Sequence, residues 1–353
     1  MEYPLWAWIS FFVIVLTALA VDLGIANRRT HAPSRRETFI WSAVWISLAL
    51  GFNGFIYWMV NSHFNNHDLA IIKTTEFFTG YLIELSLSVD NLFVFLLIFN
   101  YFKVPKKYQH RVLFWGILGA LIMRMTMIFA GAELVERFHW IIYVFGAFLV
   151  YTGLKMFGDD DEDFHPEKSP LVSLVTRFVR ISKHYDEEKF IVIKDGKRVG
   201  TLLLLVLIVV EASDLIFAVD SIPAIFGITT DKFIVYTSNV FAILGLRTFF
   251  FLLLNVVEKF HYLKYGLAFV LTFIGVKMLL PLAAELTLWI YGADARTPTT
   301  QFLHDFLDKK YNGSLIWISL GVVVAALVLS VILSLIFPAR KKVVEPDEEP
   351  PSS

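Results

Sequence analysis

Apolar residues in this chain come in long runs separated by short polar stretches. Runs of about 20 residues occupy positions 5–26, 39–60, 77–99, 112–131, 140–157, 201–226, 233–254, 263–280 and 315–337. Such a length crosses a hydrocarbon core of about 30 Å at about 1.5 Å per residue. A segment in lipid has to close its own backbone hydrogen bonds, so the pattern predicts an all-α polytopic membrane protein with nine transmembrane helices.

The polar stretches divide the chain into two N-terminal spans (1–60), three spans (77–157), a loop (158–200), three more spans (201–280), an external loop (281–313), a ninth span (314–338) and a tail (339–353). The first apolar run follows Glu2 and precedes Arg28 and Arg29, the wrong flanks for a cleaved leader, and reads as a retained anchor. Alternate loops on one side carry 22 Lys and Arg, against six on the other. The positive-inside rule then predicts the N-terminus out and the C-terminus in. In the loop 158–200, residues 171–181 have helical spacing, and Asp195-Gly196 between two short apolar runs predicts a hairpin. The acidic run 159–163 reads as a solvated linker, and the Pro- and Glu-rich tail as disordered.

Composition agrees with the pattern: 57% of residues are hydrophobic and 18% charged, with a mean hydropathy of +0.64. A formal net charge of -1 gives no footing for a nucleic-acid partner. The chain has no cysteine, which removes disulfides, thiolate metal sites and thiol nucleophiles. Neither a His-Glu-x-x-His helix nor a Gly-x-Ser-x-Gly elbow occurs, and the expectation is a protein that is not an enzyme, with no catalytic residues.

The chain also repeats itself. The segments 135–140 and 153–156 return at an offset of 122, and Val89-Asp90 returns as Val219-Asp220 at an offset of 130. Spans three to five thus recur as spans six to eight. With three spans per unit the second unit enters from the opposite face, a 3+3 inverted-topology repeat of the kind secondary transporters use to build a site near the bilayer midplane.

Five carboxylates fall inside these spans: Glu84 and Asp90 in the third, and Glu211, Asp214 and Asp220 in the sixth. Each costs about 2.5–3.5 kcal/mol on insertion scales, more than structural use alone explains. Glu84, Ser88 and Asn91 share one helix face, as do Glu211 and Asp214. The serines and Pro223 suggest local unwinding, and the repeat pairs Glu84 with Asp214, Asp90 with Asp220 and Asn91 with Ser221. The expected metal ligands are Glu84, Asp90, Asn91, Glu211, Asp214 and Asp220. Arg124 and Arg247 are expected as counter-charges, with Ser88, Ser221 and Asn239 around them. Oxygen donors without thiolate or mid-span imidazole favour a hard divalent cation such as Mn²⁺, Mg²⁺ or Ca²⁺ over Zn²⁺. Crowded carboxylates also make protons a candidate competitor. Neutralising Asp90 or Asp214 is expected to stop ion movement while stability holds or rises.

The segments ELSLSVDN (84–91) and EASDLIFAVDSIPA (211–224) closely resemble the two signature segments of the TerC family of bacterial membrane proteins, and TSNVFAILGLR (237–247) and VEKFHYLKYG (257–266) extend the match. With the two flanking N-terminal spans the chain is most similar to the Alx branch. The resemblance implies a multi-pass protein of the bacterial inner membrane that exports Mn²⁺, with the acidic signature positions as ligands. The alternative is a membrane partner that delivers Mn²⁺ to exported enzymes. Partners implied are the lipid bilayer, the metal ion and protons.

Overall fold

Helix α1 covers Leu5–Arg28, α2 Arg35–Phe64 and α3 His67–Tyr101, followed by α4 Lys106–Arg137 and α5 Ile141–Lys155. Two strands, β1 Ile191–Lys194 and β2 Lys197–Gly200, precede α6 Leu202–Phe226. Then come α7 Lys232–Leu244, α8 Leu246–Leu253, α9 Leu263–Tyr291 and α10 Asn312–Ile336. The computed structural model describes residues 3–28, 35–158, 181–182, 184–194, 197–253, 262–291, 300, 303 and 312–337. The predicted helix at 171–181, apart from its last residue, lies outside the described residues, as do the acidic run 159–163 and the tail from 338.

Local chemistry sets several ends differently from the hydropathy pattern. Helix α3 begins ten residues before the expected 77, because Asn66 Oδ1 accepts the Leu69 N–H at 2.9 Å and caps the first turn. Its 35 residues make it about 52 Å long at about 1.5 Å per residue, well beyond a hydrocarbon core. Helix α9 runs through Pro281 to Tyr291, so the first part of the expected external loop is helical. Span seven is divided at Gly245 into α7 and α8. The expected unwinding at the carboxylate segments does not occur. Residues 84–91 and 211–224 are continuous helix, with Ser86 and Ser213 donating to carbonyls four residues back. Pro223 lies inside α6, three residues from its end, and leaves the Val219 carbonyl without its i+4 amide. Strands β1 and β2 pair antiparallel, with Ile191 opposite Gly200 and Lys194 opposite Lys197, while the expected Asp195-Gly196 turn lies outside the described residues.

Among the described residues, five helices are long and apolar enough to cross a membrane: 36–64, 106–137, 202–226, 263–290 and 315–336. Shorter apolar helices occupy 5–21, 141–155 and 232–244. The exposed surface of the helices is apolar, including Ile9, Val13 and Leu16 of α1 and Leu329, Ile332 and Ile336 of α10, while charged side chains lie in the centre. Lipid as the surrounding solvent accounts for this reversal.

The packing around α3 positions the centre. Helix α3 lies against α2, α6, α7 and α10, while α4 lies against α6 and α7. An aromatic group of Trp8, Phe11, Phe52 and Phe241 joins α1 and α2 to Phe233 and Tyr236 of α7. Helices α5 and α9 form the most extensive pair, and glycine lets them touch at backbone distance. A Cβ on Gly153 would lie 2.8 Å from the Ala268 carbonyl and 2.8 Å from the Thr272 nitrogen. A Cβ on Gly275 would lie 2.6 Å from the Gly146 carbonyl and 2.7 Å from the Val150 nitrogen. Adding 122 to 153, 146 and 150 gives 275, 268 and 272, so the two sets of contacts exchange under the offset seen in the sequence.

Candidate functional site

Arg124 of α4 stands at the middle of the polar centre, 1% exposed. Its guanidinium forms a two-pronged pair with Asp214 of α6, Nε donating to Oδ2 at 3.3 Å and Nη2 to Oδ1 at 3.1 Å. Nη1 donates to Glu84 Oε1 of α3 and reaches Ser221 Oγ at 3.3 Å and Asn239 Oδ1 at 3.5 Å. Asp214 and Ser221, seven residues apart, share one face of α6 and meet the same guanidinium. The second Glu84 oxygen accepts the Asn239 Nδ2–H at 2.9 Å from α7, and Ser88 Oγ donates to Oε1 at 3.4 Å. Glu84, Ser88, Asn91, Asp214, Ser221 and Asn239 are all buried. Fixed donors surround both carboxylates, which is how a charge can be kept away from water.

This brings together Glu84, Asp214, Arg124, Ser88, Ser221 and Asn239 of the expected set. Asn91 is buried one turn of α3 beyond Ser88. Glu211 lies beside Asp214 but is not in the network. Its carboxylate presses on α4 where Gly119 leaves room, and any Cβ there would overlap it. Among the described residues Glu211 has no hydrogen-bonding partner. The side chains of Asp90, Asp220 and Arg247 lie outside the described residues, although their backbones belong to α3, α6 and α8. Among the described residues no three His, Asp or Glu side chains stand close enough to hold a metal. The point between Glu84 and Asp214 is taken by the Arg124 guanidinium. A cavity of about 10 Å³ adjoins it, lined by Leu113, Gly116, Ala120, Val210 and Asp214, the size of a single water.

A second charged cluster, which the sequence pattern does not single out, sits near the start of α3. Lys73 Nζ lies 2.9 Å from Glu76 Oε2 and 3.0 Å from Asp231 Oδ2. Thr229 Oγ1 donates to Glu76 at 2.8 Å, and the Tyr3 hydroxyl donates to Asp231 at 2.8 Å. Burial, followed by the Asp231 charge, raises the Tyr3 phenol above its ordinary value. Asp231 also caps α7 through the amides of Phe233 and Ile234, at 3.2 and 3.4 Å. Lys73, Glu76, Thr229 and Asp231 line an open cleft of about 450 Å³ with Phe226 and Ile228. The sequence signal was the i, i+3 pair of Lys73 and Glu76 just ahead of an apolar run, which resembles a loop until Asn66 is recognised as a cap.

Comparison with known proteins bears on most of the chain. No solved structure matches the chain. An uncharacterised membrane protein of Myxococcus xanthus is 49% identical over 271 residues, covering 77% of this chain and 82% of that protein. The putative membrane-bound redox modulator Alx of Escherichia coli K12 is 50% identical over 275 residues, covering 77% of this chain and 85% of that protein. An uncharacterised membrane protein of Rickettsia bellii is 40% identical over 272 residues, again 77% of this chain. The model of the integral membrane protein TerC family matches residues 70–342, a stretch that contains both signature segments, the Arg124 network and most of the second cluster. The chain is therefore a multi-pass integral membrane protein and belongs to the TerC family.

Proposed function

We propose that this protein moves a hard divalent cation, Mn²⁺ foremost, out of the cytoplasm across the bacterial inner membrane. The observation that carries the reading is the convergence of two buried carboxylates, Glu84 and Asp214, from equivalent positions of two sequence repeats onto one point. An intramembrane ionisable group is expensive and marks a functional site by default, and the metal-binding atoms that Glu84 and Asp214 offer are oxygens. Glu84, Asp214 and Asn91 are proposed as ligands, with Asp90 and Asp220 completing the set and Glu211 beside them. Ser88, Ser221 and Asn239 orient them. Protons are the proposed counter-ion.

The proposed architecture is nine spans, N-terminus out, with α3 to α5 and α6 to α9 as inverted repeats. Three contact relations support it. Helix α3 packs on α7 as α4 packs on α6, α3 meets α6, and the α5–α9 crossing exchanges onto itself. Alternating access then amounts to one unit rocking against the other. The relatives' name, redox modulator, would not act here through thiol exchange, since this chain has no cysteine.

The test is uptake by proteoliposomes containing only the purified protein, with Mn²⁺, Mg²⁺, Ca²⁺ and Zn²⁺ compared side by side. Mn²⁺ is expected well ahead of Zn²⁺, and a clear Zn²⁺ preference would overturn the hard-cation reading. Binding of Mn²⁺ without movement would favour a delivery partner that hands metal to exported enzymes.

A further inference from the structure

The centre of the candidate site is already filled by a cation of the protein's own. Arg124 takes both Asp214 oxygens, one Glu84 oxygen, Ser221 Oγ and Asn239 Oδ1. These are the oxygens a hard divalent ion would use, and such an ion needs about six or more of them at about 2.0–2.6 Å. A guanidinium and a metal ion cannot share that point. We propose that Arg124 is a tethered competitor of the transported cation, and that Glu211 is the carboxylate that receives the guanidinium when the ion displaces it.

The proposal rests on the transport reading above and names the regulation of the same site. Two further observations make the displacement physically reasonable. First, Glu211 lies one turn from Asp214 on α6, is half-buried and has no hydrogen-bonding partner among the described residues. Its carboxylate is packed on Gly119, five residues before Arg124 on α4, or about 7.5 Å along that helix at about 1.5 Å per residue. Second, the side of α4 leading from Arg124 past Ala120 to Gly116 is made of small residues and borders the cavity of about 10 Å³. A guanidinium that swings that way stays paired, and the ion that enters finds Glu84 and Asp214 released. Electroneutrality also favours the exchange. The pair Glu84 and Asp214 carries two negative charges, which one divalent ion balances, while the arginine moves to a third carboxylate. The consequence is a threshold: the site binds metal only when the ion is abundant enough to win against a resident cation, which suits a protein that removes excess metal and spares the rest.

The experiment is calorimetric titration of Mn²⁺ into the detergent-solubilised full chain, as wild type, Arg124→Gln, Glu211→Gln and the double variant. Removing the competitor should lower the Mn²⁺ dissociation constant by about 100-fold, the reciprocal of a competent population of about 1%. Glu211→Gln should weaken binding in the wild-type background and have no effect in the Arg124→Gln background, because there is then no guanidinium to receive. Equal weakening in both backgrounds would make Glu211 a plain ligand and overturn its part. If Arg124→Gln does not fold, Arg124→Lys decides the matter, since a lysine keeps the charge but loses the planar fork. Lysine should bind Mn²⁺ about 10-fold more tightly than wild type, on the scale of ordinary coupling between sites. Unchanged or weaker affinity in the arginine variants overturns the competition while leaving the ion site standing. Absence of Mn²⁺ binding in every form instead defeats the transport reading itself.

Discussion

The deep cluster and the cleft cluster are built to one plan and solve different problems. In each, a basic side chain bridges a carboxylate on α3 and a carboxylate on the α6–α7 segment: Arg124 joins Glu84 and Asp214, and Lys73 joins Glu76 and Asp231. The deep one is sealed, with Glu84 0% and Arg124 1% exposed, and uses the planar fork that satisfies several oxygens at once. The other borders an open cleft of about 450 Å³ and uses a point charge that water can replace. Asp231 is further compensated by the amides at the start of α7, whereas Asp214 lies inside α6 and has no helix end to rely on. Among the described residues Asp214 therefore depends on one cation, whereas Asp231 divides its charge among Lys73, the Tyr3 hydroxyl and two amides.

The comparison can be broken most directly by removing each cation. Arg124→Leu leaves two sealed carboxylates facing one another and should cost about 3–5 kcal/mol, read as a loss of unfolding stability in detergent. Asp214→Asn should cost about 1.5–3 kcal/mol by taking away the two-pronged partner of Arg124, together with loss of Mn²⁺ movement. This reverses the sign expected from the sequence, where neutralising Asp214 relieves repulsion; the structure makes Asp214 the support of a buried cation instead. Lys73→Met should cost less, about 1–2 kcal/mol, because water in the cleft can solvate Glu76 and Asp231. A Lys73 effect as large as that of Arg124 would show that depth is not the controlling variable. Smallest of all, Asp231→Asn should shift stability by less than about 1 kcal/mol, since asparagine caps a helix as well as aspartate does and Lys73 keeps its pair with Glu76.

Glu84 and Asp214 were legible in the sequence because a carboxylate within an apolar run stands out without any knowledge of its neighbours. The similarity at an offset of 122 likewise needs only the chain itself, and Gly153 and Gly275, related by that offset, occupy exchanged places in the α5–α9 crossing. Arg124 was visible as a buried charge, but its place between the two carboxylates was not, because its partners are 40 and 90 residues away. Lys73 and Glu76 were passed over because hydropathy locates the apolar stretch of α3 and is blind to the capped turns in front of it.

What the sequence determined by itself is the set of properties that each segment carries alone: membrane-length apolar helices, the residues inside them that lipid would reject, and the family to which they belong. What only the tertiary structure decided is which charge neutralises which. Helix periodicity places Glu84, Arg124, Asp214 and Asn239 on faces of four different helices, and the packing of α3, α4, α6 and α7 then turns those faces toward one point. Coulombic attraction and hydrogen bonding act over a few ångströms in space, whatever the separation along the chain, so the pairing follows from the helix contacts and not from the order of the residues.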